Sequence, residues 1–353
     1  MRKKIKILFV IAVILWLASF SISFSLFIVL GIIGLFVFAA GVSFLMANKL
    51  IKKTNWWKNQ YIACKQFVSN SGYRDNIQRN YDIVNLGSNP ARFAFFYENV
   101  KGQSWATGSQ GQDMDFEILK YFHSYLKNGG TVLIPIMPFT AISTYLKERK
   151  DYWGMEYYSK FYQILDLYQA LQLPNAKKIA RYLKMPLLYN KRAIRYLIKD
   201  SLPDDRYQIS EQPMMKMELE EDAKKWINGW LTEFNLKRLE DCQGEKWSKY
   251  YREAIDLTKS MVDFCIERDL KPVFICVPMS HYLSDLFPAD VRKFLVTDFV
   301  KACNEHDIPF LDYTLDPDFQ DASLYLDSFF LNMRGRKLFT RRVLKDLEVG
   351  EQV

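Results

Sequence analysis

The chain has 353 residues, a net charge of +8, 49% hydrophobic and 25% charged side chains. That balance excludes bulk disorder, and the length suits a membrane anchor plus one large domain or two small ones. Part of the positive charge flanks an apolar N-terminus and no zinc-finger spacing or other nucleic-acid motif accompanies it, so nucleic acid is not an expected partner.

From Ile7 to Asn48 no side chain is charged. This is about twice the roughly 20 apolar residues that a spanning helix needs, and too long for the core of a cleaved signal peptide. Two spans with a tight turn near 19–25, the second running to about Ala47, are expected; one long tilted helix is the alternative. Arg2, Lys3, Lys4 and Lys6 precede the stretch, and Lys49, Lys52, Lys53 and Lys58 follow it. The positive-inside rule holds both flanks of a hairpin in the cytoplasm, whereas a single span leaves the folded part outside. The folded part is read as extracytoplasmic, although the charges also allow the cytoplasmic side. Trp56 and Trp57 stand where an interfacial aromatic anchor is expected. Residues 1–58 are thus the anchor, and the lipid bilayer is a partner.

Beyond it, "YDIVNLG" (81–87) reads as a short buried strand. Residues 113–130 read as a helix closed by Gly129-Gly130, and 131–137 as the next strand. Residues 139–247 are a mostly helical insertion. A helix at 249–269 feeds a strand at 271–279, a helix at about 289–305 feeds a strand at 309–314, and a last helix covers about 332–347. Strand, helix and strand repeated in this way predict an α/β fold: a parallel sheet with helices on both faces, built from 59–138 and 248–353 around the insertion. Ligands bind beyond the carboxyl ends of such strands, which nominates Gly87-Ser88, Pro135 to Phe139 and Pro278 to His281.

The five cysteines are scattered without a CxxC, so no disulfide framework is expected, and Cys276 reads as a small buried hydrophobe. No His/Cys/carboxylate set has metal-ligand spacing, and there is no Walker loop or GxGxxG, so neither metal nor cofactor is expected. In the insertion, residues 176–199 hold eight Lys/Arg, no acid and interleaved apolar residues. Such a segment suits an anionic membrane surface, a lid over the site with the aromatic stretch 151–168, a dock for a membrane partner, or a helical subdomain with a solvated basic face. The acidic run 217–222 reads as a solvated helix start.

Ser88 sits at the carboxyl end of the first strand. As a nucleophile it needs a sharp turn, which Gly87 permits, backbone N–H groups for an oxyanion, and a base. Otherwise Ser88-Asn89-Pro90 is a strand-to-helix turn and cap. Further on, "YLDSFFLNMRGRKLF" (325–339) follows the last strand and opens the last helix. With these two blocks the chain resembles the SGNH hydrolase superfamily over about 81–139 and 249–347, and more narrowly its membrane-anchored, DltD-like branch, linked to O-acylation of cell-surface polymers. The resemblance implies a flavodoxin-like sheet and Ser88 as nucleophile after Gly87. It matches Asp327, Leu331 and Gly335 to a C-terminal Asp-x-x-His before an L-x-x-x-G helix start. It places an oxyanion and binding group at Gly87, Asn89, Gly102 and Ser104. It further implies acylation or deacylation of a surface polysaccharide or teichoic-type polymer, with a membrane-bound O-acyltransferase as partner.

Phe330 occupies the place of the family's histidine and cannot accept a proton. Of the three histidines, His123 lies mid-helix and His306 enters a strand at the opposite edge of the sheet. His281 follows a strand on the side of Ser88 and is the candidate substitute base. The expected function is that of a serine acyltransferase or esterase acting through Ser88; the alternative is a catalytically inactive accessory or binding protein of a polysaccharide-modification complex.

Overall fold

The computed structural model describes residues 2–18, 24–61, 80–98, 100–148, 159, 176–201 and 215–350. It divides into two compact units, Met1–Thr54 with Arg181–Ser201, and Asn55–Ala180 with Leu202–Val353.

The first unit contains α1 (Arg2–Ala18) and α2 (Phe24–Ile51). At 1.5 Å per residue, the 28 residues of α2 reach about 42 Å, more than the roughly 30 Å of a bilayer core. Among the described residues α2 alone is long and apolar enough to cross a membrane, with a mean hydropathy of 2.6 over Ile28–Ile51. The apolar stretch of α1, Ile7–Trp16, is shorter, and residues 19–23, where the turn between two spans is expected, lie outside the described residues. The Thr54 hydroxyl closes the end of α2 by donating to the Ile51 carbonyl at 2.6 Å. One turn earlier, buried Asn48 donates from Nδ2 to the Phe44 carbonyl at 2.8 Å and accepts the Leu187 N–H at 3.0 Å. Short 3₁₀ turns at Pro186–Leu188 and Lys191–Leu197 pack along this end of α2.

The second unit opens with α3 (Asn55–Tyr61). Its Trp56 and Trp57 are buried and meet edge to face at 6.1 Å, so they pack inside the protein rather than standing exposed as an interfacial anchor. The elements that follow are β1 (Tyr81–Asn85), α4 (Asn89–Arg92), β2 (Gly102–Ser104), α5 (Gln112–Phe122) and β3 (Leu126–Pro135). Then come α6 (Ala176–Lys184), α7 (Lys216–Glu233), α8 (Ser248–Ile266), β4 (Lys271–Cys276) and α9 (His281–Ser284). A run of α10 (Ala289–Arg292), a π-helical turn and α11 (Phe299–Cys303) leads to β5 (Phe310–Asp312) and α12 (Met333–Asp346).

Among the described residues the strand pairs of the sheet are parallel, in the order β2-β1-β3-β4-β5. This is a doubly wound α/β order whose switch point lies between β1 and β3. The inner strands are buried nearly throughout, as a sheet covered on both faces requires. On one face, Ile83, Leu133, Val273 and Ile275 meet Phe339 and Val343 of α12. On the other, α8 packs on α5 and β4.

Two elements differ from the pattern reading. The short edge strand β2 was not anticipated. The helix after Gly111 ends at Phe122 instead of running to Gly130, and β3 starts at Leu126. Gly129 and Gly130 therefore do not cap a helix. They form an irregularity in β3, where pairing shifts from Tyr81↔Leu126 to Ile83↔Thr131. Gly129 takes φ +69° there and donates its N–H to the Asp269 carbonyl at 2.8 Å.

Candidate functional site

The carboxyl ends of β1 and β3 open into a cavity of about 320 Å³ at the switch point. Two of the three nominated strand ends line it: Gly87, Ser88 and Asn89 after β1, and Pro135 to Phe139, apart from Ile136, after β3. The third, Pro278 to His281, does not, because β4 lies one strand beyond the switch point.

The turn after β1 is built by Gly87. Its φ of +108° is a left-handed value, and a Cβ there would lie 2.9 Å from both Ala91 Cβ and Pro135 Cγ. Pro90 in the first turn of α4 fixes the start of that helix. Ser88 holds the position before the helix, yet its hydroxyl makes no capping bond, and the side chain is half-buried on the cavity wall. The ordinary role of a serine in such a turn is thus left unfilled. Asn89 is a wall residue, and its side-chain oxygen packs against Gly108.

Beneath the turn lies Asp115, buried on α5. Its Oδ1 accepts the Gly87 N–H at 2.8 Å and the side-chain amide of Gln110. Burial pushes this carboxyl up to about 7; the bonds from Gln110 and Gly87 oppose the shift, and the Asp113 charge adds to it. Asp113, Asp115 and Glu233 are the carboxylates of the cavity wall, and no histidine stands on it among the described residues.

The opposite wall is aromatic. Trp226 and Trp230 lie one turn apart on α7, inside the predicted insertion, with ring centroids 5.5 Å apart. Trp230 meets Phe139 at 5.4 Å, while Trp226 meets Phe330 at 5.2 Å and Phe329 at 5.3 Å. Phe330 also stacks on Phe93 at 4.9 Å with planes 10° apart. Phe330 is therefore part of an apolar wall.

Asp327 is absent from the lining. Its Oδ1 accepts the N–H groups of Phe329 and Phe330 at 2.8 and 2.6 Å and shapes the turn that presents both rings. Burial raises its carboxyl to about 6; the two backbone bonds oppose this and the Asp222 charge reinforces it. Asp222 comes from the acidic run read as solvated, but it is half-buried and accepts the N–H and hydroxyl of Ser328 at 3.0 and 2.7 Å. It ties α7 to the loop before α12. His281 opens α9 outside the cavity wall, with Nδ1 3.2 Å from the Gln320 carbonyl oxygen and its ring against Tyr282.

Gly102 and Ser104 belong to β2, also away from the lining. Gly102 leaves room for the Tyr97 ring, and the Ser104 hydroxyl accepts Asn85 Nδ2 at 3.1 Å. Leu331 is buried and bridges to Tyr325. Gly335 passes so close to the Leu324 carbonyl that a side chain would collide with it, and its N–H is capped by Asn332 Oδ1 at 3.0 Å.

The structure thus brings Gly87, Ser88 and Asn89 together in one wall and leaves Asp327, His281, Gly102 and Ser104 off it. The pattern reading missed Asp115, Trp226 and Trp230. The tryptophans were visible as a W-x-x-x-W pair in a helical segment, whereas nothing local marks Asp115 as buried.

These features define a protein with an α/β unit, a cavity at the sheet's switch point, and an N-terminal helix apolar enough for a membrane. No protein-family model matches the chain, and no curated protein matches it significantly.

Proposed function

We propose that this chain is a membrane-anchored, SGNH- and DltD-like accessory protein that binds an acyl-bearing saccharide unit of a cell-surface polymer without turning it over. One observation carries this reading: the cavity beside Ser88 has an aromatic wall that includes Phe330, the residue the resemblance aligns with a histidine. Trp226, Trp230 and Phe330 offer faces suited to a sugar ring or a short acyl chain, while Ser88, Asn89 and Gln110 supply polar groups opposite. The sheet order, the Gly87-Ser88 turn and the Gly335 helix start support the resemblance to the superfamily. The α2 helix supports the anchor, and the extracytoplasmic placement and the O-acyltransferase partner follow from the resemblance. Acetylated chitobiose, as a probe, is expected to quench the tryptophan fluorescence of the full chain in detergent, and Trp226→Ala with Trp230→Ala to abolish the quench. An unquenched wild type contradicts the reading.

Asp115 favours a second reading, acyl transfer through Ser88. A carboxyl held near 7 suits a general base, and it is bonded to the residue just before the serine. In that case Ser88 Oγ attacks the acyl carbonyl, its proton passes to Asp115, and the departing alkoxide recovers that proton. Fluorophosphonate labelling of Ser88 that rises through pH 7 and vanishes in Asp115→Asn selects this reading over the first.

A further inference from the structure

The segment Arg181–Ser201 is folded onto the end of α2, within one compact unit. Asn48 fixes its position by accepting the Leu187 N–H at 3.0 Å, one helical turn before α2 ends at Ile51. From there the segment displays two kinds of side chain. Arg181, Lys184, Lys191, Arg192, Arg195 and Lys199 are all exposed, and Asp200 is the segment's only acid. Lys49 and Lys53, at the end of α2, are exposed as well. Among these cations stand bare apolar residues: Ile198 is 90% exposed, Ile194 54% and Leu188 52%. Apolar residues in water surrounded by cations are unfavourable for a soluble surface, but they match the boundary between anionic headgroups and acyl chains.

We infer that Arg181–Ser201 is a headgroup-binding collar around the end of α2. Its cations engage anionic phospholipid, and Ile194 and Ile198 dip into the acyl boundary. The occupant follows from charge complementarity and from continuity with the apolar helix that sets the segment's depth. The inference rests on α2 being a membrane span. It adds that the anchor selects the charge of its lipid, which an apolar helix alone cannot do.

The test uses the full chain in lipid nanodiscs, with a spin label at Ile194→Cys in a Cys64→Ser background. The other four cysteines are buried. With phosphatidylglycerol present, the label is expected at headgroup depth, seen as a several-fold fall in collisions with a water-soluble nickel chelate relative to pure phosphatidylcholine. Replacing Lys191, Arg192 and Arg195 by Gln is expected to return the label to water. A label in water in both lipids, or at equal depth in both, overturns the collar while leaving the span intact. A chain that does not enter the discs overturns the span reading and the collar with it.

Discussion

The Gly87 N–H donates to Asp115 Oδ1 at 2.8 Å, which ties the residue before Ser88 to a buried carboxyl on α5. The turn at the end of β1 is thus held from below by an acid and from within by a left-handed glycine. The serine hydroxyl itself has no structural duty in the turn. Ser88 is left as a wall residue of the switch-point cavity.

The acids have a pH signature. Asp115 and Asp327 are held up at about 7 and about 6 by burial, against 3.8 in the unfolded chain. The folded state therefore binds more protons than the unfolded state between about pH 4 and 7, and stability falls as pH rises through that window. Thermal unfolding of the full chain is expected to shift downward from pH 5 to pH 8, and Asp115→Asn to flatten much of the slope. Identical slopes in both proteins contradict this assignment.

Gly87→Ala places a side chain at φ +108° against Ala91 and Pro135. A loss of about 1–3 kcal/mol is expected for strain of this kind, before the steric clash is added. Urea denaturation measures it. Ser88→Ala, by contrast, is expected to leave the midpoint almost unchanged.

Asp327 separates a structural carboxyl from a catalytic one. Asp327→Ala leaves the Phe329 and Phe330 N–H groups without their acceptor, at a cost of about 1–3 kcal/mol each if both stay buried. Asp327→Asn keeps an acceptor oxygen and removes a buried charge, so stability and probe binding are expected to survive. Loss of probe binding in Asp327→Asn, with an unchanged unfolding midpoint, contradicts the turn-shaping role.

Much of the sheet was legible in the sequence because parallel strands such as "KPVFIC" are uninterrupted buried runs, which periodicity detects. The long amphipathic helix α8 was legible for the same reason. The end of the preceding helix was not. Gly129-Gly130 looks like a helix stop, and only the cross-sheet partner Asp269 turns Gly129 into part of β3. Trp56 and Trp57 misled because an aromatic pair after an apolar helix has the same composition whether it faces lipid or the protein interior. Within the site, Gly87 and Ser88 carry a local signal. Asp115 and the α7 tryptophans become wall residues only through packing between elements far apart in sequence.

The most direct test of a cavity that binds without turnover is fluorophosphonate labelling of the full chain, followed by mass spectrometry of the Ser88 peptide from pH 6 to 9. No adduct is expected at Ser88, while acetylated chitobiose still quenches the fluorescence of Trp226 and Trp230. A stoichiometric adduct at Ser88, lost in Asp115→Asn, would contradict binding without turnover and make the protein a serine acyltransferase or esterase.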